Sequence, residues 1–139
     1  ELIDDYISRF EKIGRSYGLG PVSIIEVEDK KNGGMPNEAL LLKRVIPKGA
    51  LIAILDERGQ TLSSPDFAKK INYYVTSGIS DMAFIIGGAD GIAPSLQALS
   101  DLKISFGKMV WPHALVRVMI AEQLYRAVSI LAGSPYHRN

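Results

Sequence analysis

The chain has 139 residues, 47% of them apolar, which is enough for one compact domain with a real core. Charged residues make up 22% and the net charge is +1, so the positive excess of a free-standing basic nucleic-acid-binding domain is missing. The absence of cysteine excludes disulfides, thiol catalysis and cysteine-type zinc sites; with no signal-peptide pattern and no apolar run near the roughly 18 residues of a membrane helix, the cytoplasm is the expected location.

Residues 2–17 place Leu2, Ile3, Tyr6, Ile7, Phe10 and Ile13 at helical spacing, and Gly18, Gly20 and Pro21 end that helix. The chain opens at Glu1, already inside this helix, so an N-terminal piece is expected to be missing. Residues 22–27 (VSIIEV) are β-branched enough for a strand, and 28–35 (EDKKNGGM) read as a polar, glycine-rich loop. Pro36 suits the first turn of a helix that continues through Leu40, Leu41, Leu42, Val45 and Ile46 to Pro47. Residues 51–55 (LIAIL) form an unbroken apolar run, the pattern of a strand buried on both faces, and Asp56 to Gly59 read as the turn that ends it. Ser64 is the expected cap of a helix starting at Pro65 and running towards Ser77 and Gly78. A second buried strand is expected at 82–86, a short helix after Pro94, a third strand at 102–106, and a last helix over about 113–132 that stops at Gly133. Strands alternating with helices over short connections give one α/β domain with a mainly parallel sheet.

Several segments bear on chemistry. The 87–91 loop (GGADG) follows a buried strand, where open α/β sheets bind ligands, although by itself a glycine-rich turn is more often only a turn. No dinucleotide fingerprint or phosphate-binding loop occurs, which counts against a nucleotide enzyme on an ordinary doubly wound sheet. The last helix is apolar on most faces, through Leu115, Val116, Val118, Met119, Ile120, Leu124, Val128, Ile130 and Leu131, so part of it is expected to meet a second subunit. Glu122, Arg126 and Ser129 make its polar stripe, with Glu122 and Arg126 spaced as an ion pair. Arg117 shares a face with Ile120, Ala121, Leu124 and Val128, with His113 one turn earlier. It reads either as a salt-bridge partner or as a grip for phosphate or a developing oxyanion. The tail Tyr136-His137-Arg138 gathers an aromatic, an imidazole and a cation, a set suited to an RNA base and its phosphate, although chain ends are often idle. Lys30-Lys31 and Lys69-Lys70 read as solvated surface.

Four blocks in this order resemble the bacterial 23S rRNA pseudouridine N3-methyltransferases of the SPOUT superfamily: LDERGQTLSSPDFA (55–68), FIIGGADG (84–91), ISFGKMVWPHALVRVMIAEQLYRA (104–127) and SPYHRN (134–139). The resemblance covers essentially the whole chain, and the last two blocks carry most of its specificity. It implies an α/β knot with a deep trefoil over roughly 80–132 and an obligate homodimer. It implies S-adenosylmethionine as cofactor, held by Leu55, Gly87, Gly88 and the run Phe106, Gly107, Lys108, Met109, Val110 and Trp111. His113 and Arg117 match the start of the family's last helix. Tyr136, His137 and Arg138 match its tail, implied to close over cofactor and base across the dimer, with Tyr136 and Arg138 on the RNA. On this reading His137 is the expected base for N3, Arg117 stabilises charge on the uracil oxygens, and Tyr136 and His113 complete the catalytic set. The implied substrate is 23S rRNA in the assembled 70S ribosome, with no metal and no membrane. The alternatives are a SPOUT methyltransferase acting on another RNA and a ribosome-binding module without turnover. The family also opens with a further strand ahead of the first helix, in keeping with a missing N-terminal piece.

Overall fold

An apolar run without polar alternation is stable as a strand only if both of its faces are covered, and residues 51–55 meet that condition. In the computed structural model, which describes residues 1–27, 33–87 and 91–137, β1 (Leu51–Thr61) lies between β2 (Met82–Ile86) and β3 (Leu102–Ser105), all parallel in the order β2-β1-β3. Ile54 and Ile85 pack with Ala39 of α2 (Gly34–Val45), with Ile92 and Ala93, and with Leu96 of α4 (Pro94–Gln97). Leu51 and Ala53, on the other face of β1, are buried as well. Ile54 and Leu96 are fully buried, each contributing about 1.5–3 kcal/mol relative to an exposed side chain. The strands are pinned where they start. The Leu51 N–H donates to the Asp81 carbonyl at 2.9 Å, and the Ile52 N–H donates to the Asp101 carboxylate at 2.9 Å.

The expected turn at 56–59 does not end β1. The strand runs on to Thr61, and its register on β3 jumps from Leu55↔Ile104 to Gln60↔Ile104. Local chemistry explains the bulge: the Asp56 carboxylate accepts the Arg58 N–H at 2.9 Å, the hydrogen bond by which an aspartate turns its own chain. The expected strand at 22–27 does not form. β-branched residues favour strands through cross-strand neighbours, and these have none among the described residues. The Val22 N–H donates instead to the Glu11 carboxylate at 2.8 Å, and Ile24 and Ile25 are exposed. Of the expected 28–35 loop, 28–32 lie outside the described residues, as do Lys30, Lys31, Gly88, Ala89, Asp90, Arg138 and Asn139; residues 34 and 35 already belong to α2.

The sheet, α2 and α4 make one compact unit, to which His113 belongs. The other contains α1 (Leu2–Gly14) with its 3-10 turn (Arg15–Tyr17), α3 (Ser64–Thr76) and the rest of α5 (His113–Leu131). At the centre of this second unit are Phe10, Tyr125 and Val128, with Tyr6, Ile13, Leu19, Val22, Leu124 and Tyr136 packed around them. The cap of α3 is Ser63, one residue before the expected Ser64: its hydroxyl accepts the Asp66 N–H at 3.1 Å. Ser64 instead donates to the Gln123 side-chain oxygen at 2.8 Å. Burial on α5 is uneven. Ile120, Ala121, Tyr125, Ala127, Val128 and Ser129 are buried, whereas Leu115 in the first turns is exposed. Ser129 leaves the expected polar stripe for the core, where its hydroxyl donates to the Tyr125 carbonyl at 2.9 Å. The helix ends in a reversal: Ser134 N–H reaches the Ser129 carbonyl at 2.8 Å and Gly133 N–H the Ile130 carbonyl at 3.1 Å. Gly133 at φ 72° takes the left-handed position of that turn, sending the tail back along its own helix. Among the described residues no helix is long and apolar enough to cross a membrane.

Candidate functional site

Register brings three chain segments to one sheet edge. Leu55 pairs with Ile86 on one side and Ile104 on the other, so Gly87 and the 106–111 loop leave their strands close to Leu55, where the β1 bulge begins. Ligands of open parallel sheets bind at that edge. Ser105, buried at the end of β3, ties the loop down: its hydroxyl lies 2.9 Å from the Gly107 carbonyl and 3.0 Å from the Glu57 carbonyl, and it accepts the Gly107 N–H at 3.0 Å. The Trp111 indole N–H donates to the Phe106 carbonyl at 3.3 Å, closing the loop on itself. His113 Nδ1 lies 3.0 Å from the Gly87 carbonyl, joining two expected site residues 26 positions apart. Lys108, Met109 and Val110 stand out from the loop, Val110 at 83% exposure. At Gly107 an added Cβ would meet no atom within 4 Å, so the backbone there borders open space.

Leu55, Phe106 and Met109 offer apolar surface at this edge, and the 106–111 backbone offers polar groups beside it, a lining that suits a ligand with a flat apolar part and polar edges. Asp56, beside Leu55, is held below the ordinary carboxylate range by hydrogen bonds from the Arg58 side chain and backbone, and the Arg58–Asp56 pair closes at 3.1 Å.

A second group gathers on α5 and the returning tail. Glu122 and Arg126 form the expected ion pair at 2.7 Å. The Tyr136 hydroxyl donates to the same Glu122 carboxylate at 2.7 Å, and Arg126 Nη1 lies 3.1 Å from His137 Nδ1. The Arg126 guanidinium sits 4.8 Å from the Tyr136 ring centroid, and the Tyr125 ring packs 4.4 Å from it, centroid to centroid. Burial and the Glu122 carboxylate together push the Tyr136 phenol well above its ordinary value, so it stays protonated. The hydrogen bonds from Arg126 to Glu122 hold the guanidinium charged. Arg117 lies partly buried on the same helix. Gly88 and Arg138 fall outside the described residues.

Sequence reasoning picked out His113, Tyr136 and His137 one by one and missed what each is bonded to. Ser105 escaped it as well, although a serine two residues before a glycine is a known local turn signal. Nothing local marks Glu122 as a partner of Tyr136, 14 residues away.

A three-stranded parallel sheet with helices makes this an α/β protein, a class whose ligands bind at the carboxyl edge of the sheet. The family follows from comparison: residues 1–137 match the family model described as "Predicted SPOUT methyltransferase", and the chain belongs to that family. It is 64% identical over 139 residues to the "Ribosomal RNA large subunit methyltransferase H" of Roseobacter denitrificans, covering 100% of this chain and 89% of the relative. The proteins of the same description from Ruegeria sp. (strain TM1040) and Dinoroseobacter shibae are 64% and 57% identical, each alignment covering 99% of this chain and 88% of the relative.

Proposed function

We propose that the chain is a cytoplasmic, homodimeric enzyme that uses S-adenosylmethionine to methylate N3 of a pseudouridine in the 23S rRNA of assembled 70S ribosomes. The strongest support is the 64% identity, along the whole chain, to a protein described as a large-subunit ribosomal RNA methyltransferase. The described loop geometry supports it, since Leu55, Gly87 and the run Phe106, Gly107, Lys108, Met109, Val110 and Trp111 lie together at the sheet edge; these residues, with Gly88, are the ones we assign to the cofactor. When bound, the cofactor supplies a methyl group already activated by its sulfonium.

The protein's own contribution is then position and charge. Ser105 and Trp111 fix the shape of the 106–111 loop, and His113 fixes the Gly87 carbonyl beside it. N3 must lose a proton before or as it gains carbon, which puts negative charge on the uracil oxygens; Arg117 stabilises that charge. Tyr136 anchors the tail through Glu122; on this reading His137 and Arg138 act on the base and its phosphate across the dimer. Exposed Met109, Val110 and Leu115 are apolar surface for the second subunit.

Transfer of labelled methyl to 70S ribosomes lacking the modification tests this, with free large subunits and naked rRNA alongside. Incorporation that maps to one pseudouridine of the large-subunit RNA is expected with whole ribosomes. No incorporation by a dimer that binds the cofactor would leave a SPOUT methyltransferase of another RNA. No cofactor binding would leave a ribosome-binding module.

A further inference from the structure

The polar chain on α5 constrains the tail imidazole more than its position alone suggests. A guanidinium has only donors, so at 3.1 Å from Arg126 Nη1 the His137 Nδ1 must be the acceptor. A neutral imidazole with an accepting Nδ1 carries its proton on Nε2. The other histidine is set the opposite way. The Gly87 carbonyl can only accept, so His113 Nδ1, at 3.0 Å, carries a proton. Arg126 is in turn fixed from behind. Its Nε and Nη2 donate to Glu122 at 3.1 and 2.7 Å, and Gln123 Nε2 donates to the second Glu122 oxygen at 3.1 Å. Ser64 closes the series on Gln123. The Glu122–Arg126 pair therefore cannot turn away from the tail without breaking several bonds at once.

We propose that Glu122 and Arg126 are positioning residues that dock the tail on α5 and hold His137 as its Nε2–H tautomer, so that this imidazole enters the reaction as a hydrogen-bond donor rather than as the base. The proposal rests on the N3-methylation reading above and corrects one expectation within it. A base must present a lone pair to the N3 proton, and docked His137 presents N–H instead. Its contribution is to a uracil oxygen: a bound sulfonium donor would supply the methyl group and leave as a neutral thioether, the N3 proton would pass to water, and the imidazole N–H would meet the charge left on the ring. His137 Nε2–H would then stabilise the charge that builds on a uracil oxygen.

Nitrogen-15 NMR of histidine-labelled wild-type dimer reads the tautomers directly, because the chain contains only two histidines. One Nε2–H ring (His137) and one Nδ1–H ring (His113) are expected. Arg126→Met should leave His137 in mixed tautomers, and Arg126→Lys, which keeps a charged donor, should restore the Nε2–H form. In methyl transfer, Arg126→Met and Glu122→Gln should lower kcat by about tenfold to a hundredfold, the weight of one hydrogen bond to a charged group. Cofactor affinity by direct titration should stay within about twofold, and circular dichroism separates these losses from unfolding. An Nδ1–H signal for His137 in the wild type, or a wild-type kcat for Arg126→Met, would overturn the proposal. If the wild type itself methylates no ribosome, the N3 reading fails while the NMR result still decides the tautomer.

Discussion

Gly87 stands where a glycine could serve either the ligand or the protein's own packing, and Gly87→Ala separates the two. The added methyl carbon would lie 2.6 Å from Ile92 Cγ1, 2.9 Å from the Gly91 carbonyl carbon and 3.0 Å from its oxygen. Carbon atoms in contact prefer about 3.5–4.0 Å, so the overlap approaches 1 Å. Ile92 has little room to retreat, being 8% exposed and packed with Ile54, Ile85 and Leu96. Overpacking of this kind costs about 1–3 kcal/mol. At about 3–4 °C per kcal/mol for a chain of this size, Tm should fall by about 3–12 °C without any cofactor present. Thermal unfolding of the apo protein by circular dichroism measures it, with Ile92→Ala and the double variant completing a cycle. Because Ile92→Ala removes the atom the new methyl strikes, the double variant should lose less than the sum of the singles. An apo Tm within 1 °C of wild type, together with weaker cofactor binding, would refute the packing argument and assign the glycine to the ligand alone.

Asp56 gives an acid-side prediction. Its folded pKa is depressed by Arg58, so its contribution is present above the unfolded value of about 4 and is lost as pH falls through the lower folded one. Wild type should therefore exceed Asp56→Asn in urea stability at neutral pH and converge with it in acid. With Arg58 largely exposed and screened by solvent, the gap should be small. Tyr136 gives the alkaline counterpart, since its folded pKa is raised. The hydroxyl bond to Glu122 contributes fully below the unfolded phenol value of about 10 and is lost as pH rises through the folded one. A spectroscopic phenolate titration should show one late tyrosine, absent in Tyr136→Phe; a titration unchanged by that substitution would contradict the docked tail.

What could be read from the sequence was what depends on neighbours along the chain. The apolar run Leu51–Leu55, the 82–86 strand and the long last helix all follow from periodicity, and the Glu122–Arg126 pair from four-residue spacing. Failures came where a tertiary partner decides. Residues 22–27 have strand composition but no strand beside them, and Glu11 takes the Val22 amide instead. Asp56 to Gly59 have turn composition, yet renewed pairing of Gln60 with Ile104 keeps them inside β1 as a bulge. Two adjacent serines offered two caps for α3, and the choice of Ser63 leaves Ser64 for Gln123, a partner no local rule supplies. The site shows the same division. Residue types pointed to His113 and His137 separately, but their partners, the Gly87 carbonyl and Arg126, are contacts made only in three dimensions.

The buried Ser105 hydroxyl has one hydrogen and faces two carbonyls, Gly107 at 2.9 Å and Glu57 at 3.0 Å. It can satisfy only one of them at a time. If the 106–111 loop lifts, the hydrogen swings to Glu57 in the β1 bulge, and no donor is stranded in the interior. The loop's release therefore costs less than the full rupture of a buried hydrogen bond, because the proton has a second berth waiting. Threonine at this position would keep the exchange. Alanine would abolish it, leaving the Gly107 amide without its acceptor. A single serine thus joins the 106–111 loop to the β1 bulge through one hydroxyl shared between two carbonyls.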